Sequence, residues 1–249
     1  IYLYKFVIMF NLTYNDLVTF YNNYKDNYSL TYEINIIFFY LIFIDFTLIR
    51  FFGNSARWFQ LHAVINLYIS YETIPEVINI IQDPITGYKI CETNTISLLI
   101  ICLHFYHMLT FKKLNQIDYF HHILFVGLGV LPDMFLIKYN QKYLAYIVAS
   151  GLPGFFEYSS LTLYKNNLLT LNHQKQFNTF LYNFIRLPFC CFAITMNYNA
   201  YLNGFIKDDL LITLYVNMLL YLNGTIFNVL TIASYIRVKD NHENKSKIK

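Results

Sequence analysis

Five of the seven histidines in this 249-residue chain lie within or beside apolar stretches of sequence. His104 and His107 are three residues apart, and His121 and His122 are adjacent and follow Asp118 closely. A carboxylate beside an imidazole can fix its tautomer and make it a general base for an amine, hydroxyl or thiol. The sequence therefore predicts a catalytic group formed by His104, Asp118, His121 and His122.

Other polar residues occur in the neighbouring apolar stretches. Trp58, His62 and Asn66 are spaced four apart, which places them on one helix face with Arg57 at its start. Polar side chains at membrane depth cost about 2.5 to 3.5 kcal/mol, so they usually face the bundle interior or a wet cavity. We expect a substrate-binding group made of Arg57, His62, Asn66, His107, Glu157 and Arg186.

Two alternatives to catalysis stay open for these side chains. Histidines between membrane helices also serve as hydrogen-bonding groups that contribute on average about 0.6 kcal/mol, and Glu157 could simply pair with Arg186. The fragments HFYH (104–107) and DYFHH (118–122) are similar to parts of the histidine boxes of membrane di-iron hydroxylases and desaturases. Those sites use roughly eight such ligands, more than the five histidines near the apolar stretches can supply. We therefore expect no metal or resident cofactor. A single ion held by three of these side chains is the lesser alternative.

The elements that must position these residues follow from composition. Hydrophobic residues make up 56% of the chain and aromatic residues 20%, whereas charged residues make up 13%, against roughly 25% in soluble domains. Such a chain cannot cover a globule with polar groups, so lipid must solvate much of its surface. Disorder, nucleic-acid binding by charge and an ordinary soluble domain are excluded, and the four cysteines show neither a zinc pattern nor a disulfide framework.

A membrane-crossing helix needs about 20 mostly apolar residues. Seven runs qualify, which predicts an all-α, polytopic transmembrane helical bundle. Six spans are the alternative, because the second run carries His62, Asn66 and Glu72. The runs are 34–52, 58–74, 96–111, 119–137, 143–163, 177–202 and 210–236. We divide the chain into an interfacial or non-cytoplasmic segment (1–33), the membrane domain (34–237) and a basic cytoplasmic tail (238–249).

Charge and small residues add orientation and shape. With seven spans, most of the 18 Lys and Arg residues fall on the side of the C-terminus, which is therefore predicted to be cytoplasmic. The sequons at Asn11 and Asn27 would then lie outside or in a lumen. Pro132 and the Gly-Pro segment 151–154 are expected to kink or interrupt helices, and a broken helix at membrane depth would line a cavity beside Glu157.

The order and spacing of the polar residues along the predicted spans resemble those of the TLC-domain family of multi-pass membrane proteins. The resemblance covers about residues 50–237. It implies a bundle of six or more helices in the endoplasmic reticulum or a related internal membrane, membrane lipids as partners, a possible homo-oligomer and no nucleic acid. The residues that carry it are Arg57-Trp58 with His62 and Asn66, Asp83-Pro84, His104 with His107, Asp118 with His121-His122, Glu157-Tyr158-Ser159-Ser160, and Arg186 before Pro188.

Within this family, resemblance to the ceramide synthases implies transfer of an acyl group from acyl-CoA, as co-substrate, to a sphingoid amine at the pair His121 and His122. Those enzymes carry further His-Asp and Asp residues in the next span, whereas this chain has no carboxylate at 149–156. The sequence is thus more similar to the non-synthase branch. We expect a lipid-handling, sensing or remodelling protein, with an N-acyltransferase or a structural accessory subunit as alternatives.

The sequence also predicts where the site should be. We expect a lipid-accessible cavity inside the bundle. Its predicted lining is His62, His104, Asp118, His121, His122 and Glu157.

Overall fold

The computed structural model describes residues 29–91, 93–111, 114–207 and 210–247. It is 86% helical, and these ranges contain no strand. The predicted N-terminal segment, with both sequon asparagines, lies almost entirely outside the described residues, and so does the end of the tail.

Eight helices follow one another along the described chain, and three of them contain a π-helical stretch. They are α1 (Ser29–Phe52), α2 (Arg57–Gln82), α3 (Pro84–Gly87), α4 (Thr95–Thr110), α5 (Gln116–His121, π-helical His122–Val130, Leu131–Leu136), α6 (Lys142–Tyr146, π-helical Ile147–Gly151, Leu152–Lys165), α7 (Leu171–Leu181, π-helical Tyr182–Arg186, Leu187–Leu202) and α8 (Leu210–Lys247).

Four of these helices are long and apolar enough to cross a membrane: Leu30–Phe52, Gln116–Leu136, Leu171–Leu202 and Leu210–Asn241. The predicted all-α bundle with membrane-crossing helices is confirmed at this level, and the count of seven spans is not. The α4 helix is apolar but has only 16 residues. The α2 and α6 helices are not among the four, and both contain buried polar side chains.

The helix ends have local causes in the sequence. Gly53 and Gly204 follow α1 and α7 with φ of +75° and +69°, conformations that other L-residues rarely adopt. At the start of α5, the Asn115 side chain accepts from the backbone N–H groups of Ile117 and Asp118 at 2.9 and 3.0 Å. The Asp118 carboxylate in turn accepts from the Asn115 N–H, which completes a capping box.

Three prolines explain the π-helical stretches. Pro132, Pro153 and Pro188 each come second in the α-helical turn that follows such a stretch. A proline has no N–H for the carbonyl four residues earlier, and its ring crowds that carbonyl, so the preceding turns widen. Neither Pro132 nor segment 151–154 ends its helix, but both helices change from π-helical to α-helical geometry at these residues.

The packing forms two buried apolar clusters. The first joins α1, α2 and α4 through residues such as Leu41, Leu61 and Leu103. The second joins α2, α6, α7 and α8 and contains Leu144 and Cys190. Helices α2 and α6 contribute residues to both clusters and so connect the two halves of the bundle.

A buried ion pair fastens α1 to this bundle. Asp45 is 1% exposed. It is bound by the Arg57 guanidinium of α2, and Tyr106 Oη of α4 donates to its Oδ2 at 2.6 Å. A charge buried in an apolar bundle needs such partners, so this contact fixes the position of α1 against α2 and α4.

Candidate functional site

A cavity of about 490 Å³ lies between α2, α4, α5, α6, α7 and α8. This volume is within the roughly 300 to 1,000 Å³ typical of ligand pockets. Much of its wall is apolar, with Ile100, Val126, Leu136, Val216 and Leu219 among the lining residues. The lining extends along the whole of α5, which at 1.5 Å per residue is about 30 Å long. The cavity is therefore elongated along the helices.

The structure brings eight of the ten predicted site residues to this wall. Arg57 and His107 are the exceptions. Arg57 binds Asp45 instead, and His107 packs behind the lining residues. Those on the wall are His62, Asn66, His104, Asp118, His121, His122, Glu157 and Arg186.

Five imidazoles form one contiguous group, which we name the histidine cluster: His62, His104, His107, His121 and His122. The centroid of the His104 ring lies 5.1 Å from that of His121 and 5.2 Å from that of His122. The His107 centroid lies 5.0 Å from that of His122 and 5.5 Å from that of His62. Helices α2, α4 and α5 thus bring together residues 60 positions apart in the sequence.

Two of these rings are bonded within their own helices. His62 Nδ1 lies 3.0 Å from the Trp58 carbonyl oxygen, and His104 Nδ1 lies 2.7 Å from the Ile100 carbonyl oxygen. The other nitrogen of His104, Nε2, lies 3.1 Å from His121 Nε2. His104 therefore links a backbone carbonyl of α4 to an imidazole of α5.

His107 contrasts with these bonded rings. It is fully buried, and its ring lies edge-on to that of His122 with centroids 5.0 Å apart. Neither of its ring nitrogens has a hydrogen-bond partner within the described parts of the chain.

Asp118 lies on the cavity wall but is used differently from what the sequence predicts. Its Oδ2 accepts from the Asn115 N–H at 2.9 Å, so the carboxylate caps α5. Among the described residues it bonds neither His121 nor His122. The side chain within hydrogen-bonding distance of His121 is His104.

A second polar group, the arginine network, consists of Arg186, Glu157, Tyr182, Asn223 and the Ala149 carbonyl. Arg186 Nη1 donates to Tyr182 Oη at 2.7 Å. Its Nη2 donates to Asn223 Oδ1 at 2.7 Å and to the Ala149 carbonyl at 2.6 Å. Glu157 Oε2 lies 3.6 Å from Nη1 and accepts from Tyr182. The pairing of Glu157 with Arg186, left open by the sequence, is therefore observed.

The proline-induced turns supply acceptors to the cavity wall. Pro153 leaves the Ala149 carbonyl without a helical partner, and this is the carbonyl that Arg186 binds. Pro132 does the same for the Leu128 carbonyl, which accepts from Tyr215 Oη at 2.5 Å. A Leu-Pro pair inside an apolar helix is thus a sequence signal for a freed carbonyl four residues before the proline.

Sequence reasoning missed the polar group at the other end of the cavity. Lys142 is 2% exposed, and its Nζ donates to Asn94 Oδ1 at 2.6 Å. Tyr146 Oη contacts Ser97 Oγ at 2.6 Å and donates to the buried Asp133. An aspartate inside the predicted span 119–137 was the available signal. Lys142 gave none, because it appeared to belong to a loop.

Sequence reasoning also missed the aromatic partners of the histidine cluster. Tyr158 stacks against His62 with centroids 4.8 Å apart, and Phe227 packs on His121 with centroids 5.6 Å apart. In the described ranges, no three His, Cys, Asp or Glu side chains are grouped so that they could hold a metal ion.

Comparisons of the chain with protein-family models, with curated proteins and with solved structures found no match. The cavity and its two polar groups are therefore the features that bear on function.

Proposed function

We propose that the chain is a TLC-type multi-pass membrane protein that binds an acyl lipid in this cavity in order to handle, sense or remodel it. The observation that carries the proposal is an elongated, largely apolar cavity with the histidine cluster and the arginine network in its wall. In this proposal the bundle crosses an internal membrane, such as that of the endoplasmic reticulum, seven times. Its C-terminus is cytoplasmic.

The shape and chemistry of the cavity support a single extended chain as ligand. Burial of apolar surface stabilises the complex by about 25 cal/mol per Å², and the apolar lining residues offer such surface along α5 and α8. A lipid also has a polar group that must be bonded in a dry site. The two polar groups of the wall offer both donors and acceptors for it.

The test is lipid retention by the purified full chain. We expect an acyl lipid to co-purify in mild detergent and to be identified by mass spectrometry. Val216→Trp should displace it, because Val216 lines the cavity. Leu214→Trp is the matched control, since Leu214 lies on the same helix but is 46% exposed and outside the lining.

Two outcomes would contradict lipid binding. In one, the wild-type protein carries no lipid and takes up none from vesicles. In the other, Val216→Trp and Leu214→Trp retain it equally while both variants keep the wild-type unfolding temperature.

A second function is favoured by one specific contact, the bonded pair His104 and His121 on the cavity wall. This function is an acyl-CoA-dependent N-acyltransferase. The amine nitrogen would form a bond to the acyl carbon, the carbon–sulfur bond of the thioester would break, and the amine proton would pass through an imidazole to the leaving sulfur. Incubation with acyl-CoA and a sphingoid base should then yield an amide, and its absence with folded, lipid-binding protein would exclude this activity.

A further inference from the structure

The hydrogen bonds of the histidine cluster determine which ring nitrogens carry protons. A backbone carbonyl can only accept, so His104 Nδ1, 2.7 Å from the Ile100 oxygen, must carry a hydrogen. Neighbouring rings with centroids 5.0 to 5.8 Å apart cannot all be charged in an apolar bundle, because like charges repel strongly there. His104 is buried and forms no ion pair with a described carboxylate, and burial disfavours the charged imidazole. Its single N–H is therefore at Nδ1, which leaves Nε2 as an acceptor.

This assignment fixes the next ring. His104 Nε2 lies 3.1 Å from His121 Nε2, and two lone pairs do not bond, so the hydrogen between them belongs to His121. The Nδ1 atom of a neutral His121 then carries a lone pair. This atom is buried and has no hydrogen-bond partner among the described residues.

The other members of the histidine cluster do not combine a bond to a second imidazole that fixes the tautomer with a buried, unpartnered nitrogen. His62 Nδ1 is fixed by the Trp58 carbonyl, but neither of its nitrogens bonds another imidazole. His122 has an unpartnered Nδ1 on the cavity wall, but no bond fixes its tautomer. Among these rings, His121 is the one that is oriented by a second imidazole and also has a buried nitrogen without a partner in the described chain.

We propose that His121 Nδ1 is the proton acceptor of the cavity and that His104 is the positioning residue that holds His121 in the required tautomer. The tautomers follow from the hydrogen bonds and from the neutrality of the buried rings, whereas the proton transfer rests on the proposed acyltransferase function.

A donor lies across one aromatic ring from this acceptor. Phe227 packs against His121 on one side, and the Arg186 guanidinium carbon lies 5.5 Å from the Phe227 centroid. Arg186 Nε is buried and has no acceptor among the described residues. His121 and Arg186 thus each have one nitrogen without a partner in the described chain, and both residues line the cavity.

The reaction balances with this one acceptor. His121 Nδ1 takes the proton of the nucleophile as the bond between the nucleophile and the acyl carbon forms. The same proton then passes to the leaving thiolate as the carbon–sulfur bond breaks, which returns His121 to its neutral form. His104 keeps its own proton throughout, because the Ile100 carbonyl holds it.

The first experiment reads the tautomers directly. The full chain, labelled with ¹⁵N-histidine in lipid nanodiscs, is studied by NMR, with signals assigned from single His→Gln variants. We expect Nδ1–H for His104 and Nε2–H for His121. His104→Leu should remove the preference of His121, whereas Gln at this position can still accept from His121 Nε2–H, so His104→Gln should keep it.

The exposed His173, in the first turn of α7, provides the matched control. His173→Leu should leave the His121 signal unchanged. An Nδ1–H tautomer for His121 in the wild-type protein would overturn the proposal, and so would a His121 signal that His104→Leu does not alter.

The second experiment measures amide formation as a function of pH. His121→Ala should lose at least about 100-fold in rate. His104→Leu should lose roughly 10- to 100-fold with an altered pH profile, and His104→Gln should recover most of the rate. Equal losses in His104→Leu and His104→Gln would show a packing role and contradict the proposal. If the wild type forms no amide but shows the expected tautomers, the acyltransferase function fails and the tautomer assignment stands.

Discussion

The arginine network and the histidine cluster line the same cavity and differ in how their polar atoms are satisfied. Arg186 has an opposite charge in Glu157 and neutral acceptors in Tyr182, Asn223 and the Ala149 carbonyl. The histidine cluster repeats one side chain and leaves several ring nitrogens without partners in the described residues. The first region is what a bundle needs to bury a charge, whereas folding alone gives no reason for the second.

The largest expected effect follows from breaking the arginine network. Arg186→Leu leaves the Glu157 carboxylate without its cation in an apolar bundle, and such a change costs about 3 to 5 kcal/mol. The free energy of unfolding in detergent micelles, or the unfolding temperature, measures it.

The matched control removes both charges. Arg186→Leu combined with Glu157→Gln should recover much of the loss, because no uncompensated charge remains. If the double variant is as unstable as the sum of the single ones, the network does not act as a charge pair.

Gly154→Ala tests the helix contact that couples the two regions. A Cβ at Gly154 would lie 2.5 Å from Asn66 Nδ2 and 3.1 Å from its Cγ. Asn66 also accepts from Ser150, next to the Ala149 carbonyl of the arginine network, at 2.9 Å. Such overpacking costs about 1 to 3 kcal/mol, and the bound-lipid content should fall with it.

Gly127→Ala is the control for this substitution. Its Cβ would meet the nearest atom, the His122 carbonyl oxygen, at an ordinary contact distance of 3.4 Å. Alanine is the better helix former, so this variant should be as stable as the wild type or more so. Equal destabilisation by both alanines would show that the contact with Asn66 is not the cause.

Substitution of one member of the histidine cluster is expected to raise the stability of the fold rather than lower it. His107→Leu removes two buried nitrogens that have no partner in the described chain and adds no ring atoms beside Trp58. It should stabilise the fold by up to about 1 kcal/mol. His104→Leu loses two bonds and should destabilise it by a similar amount, as measured by thermal unfolding. A loss of stability in His107→Leu would show that His107 is satisfied by a group such as a bound ligand.

The arginine network and the histidine cluster also show how much of the site could be predicted from the sequence. Costly imidazoles in apolar runs pointed to His104 and His121, and helix spacing placed His62 and Asn66 on one face. The use of Asp118 could not be foreseen from its proximity to His121, because the Asn115 N–H competes for the carboxylate. Contacts between residues of different helices could not be predicted from the sequence either.

Two cases illustrate this limit. Asn223 meets Arg186 from another helix, 37 residues away, and hydropathy gives no register between helices. Asp45 is different, because an aspartate in the most apolar predicted span, close to Arg57, was a readable sign of the pair that the structure shows. That pair explains why Arg57 is absent from the cavity wall.

The smallest expected effect concerns a carboxylate outside the apolar helices, which serves as a reference for the half-buried Glu157. Asp83 accepts from Thr86 Oγ1 at 2.6 Å and from the Ile85 N–H at 3.1 Å, and it caps α3. The bond from Thr86 lowers the pKa of Asp83 below its ordinary value of 3.8. The cap therefore stabilises α3 fully above that value, and this stabilisation is lost as the pH falls through the lower, folded-state pKa.

The Ile85 amide shift should accordingly stay constant from neutral pH down to about 4 and change only below it. Asp83→Asn keeps an acceptor oxygen for the cap but cannot titrate, so its Ile85 amide should show no such change. A wild-type midpoint at or above 3.8 would mean that the carboxylate gains nothing from Thr86. Because Asp83 is exposed to solvent, overall stability should hardly respond, whereas Arg186→Leu, which strands Glu157 in the bundle, should lower it by several kcal/mol.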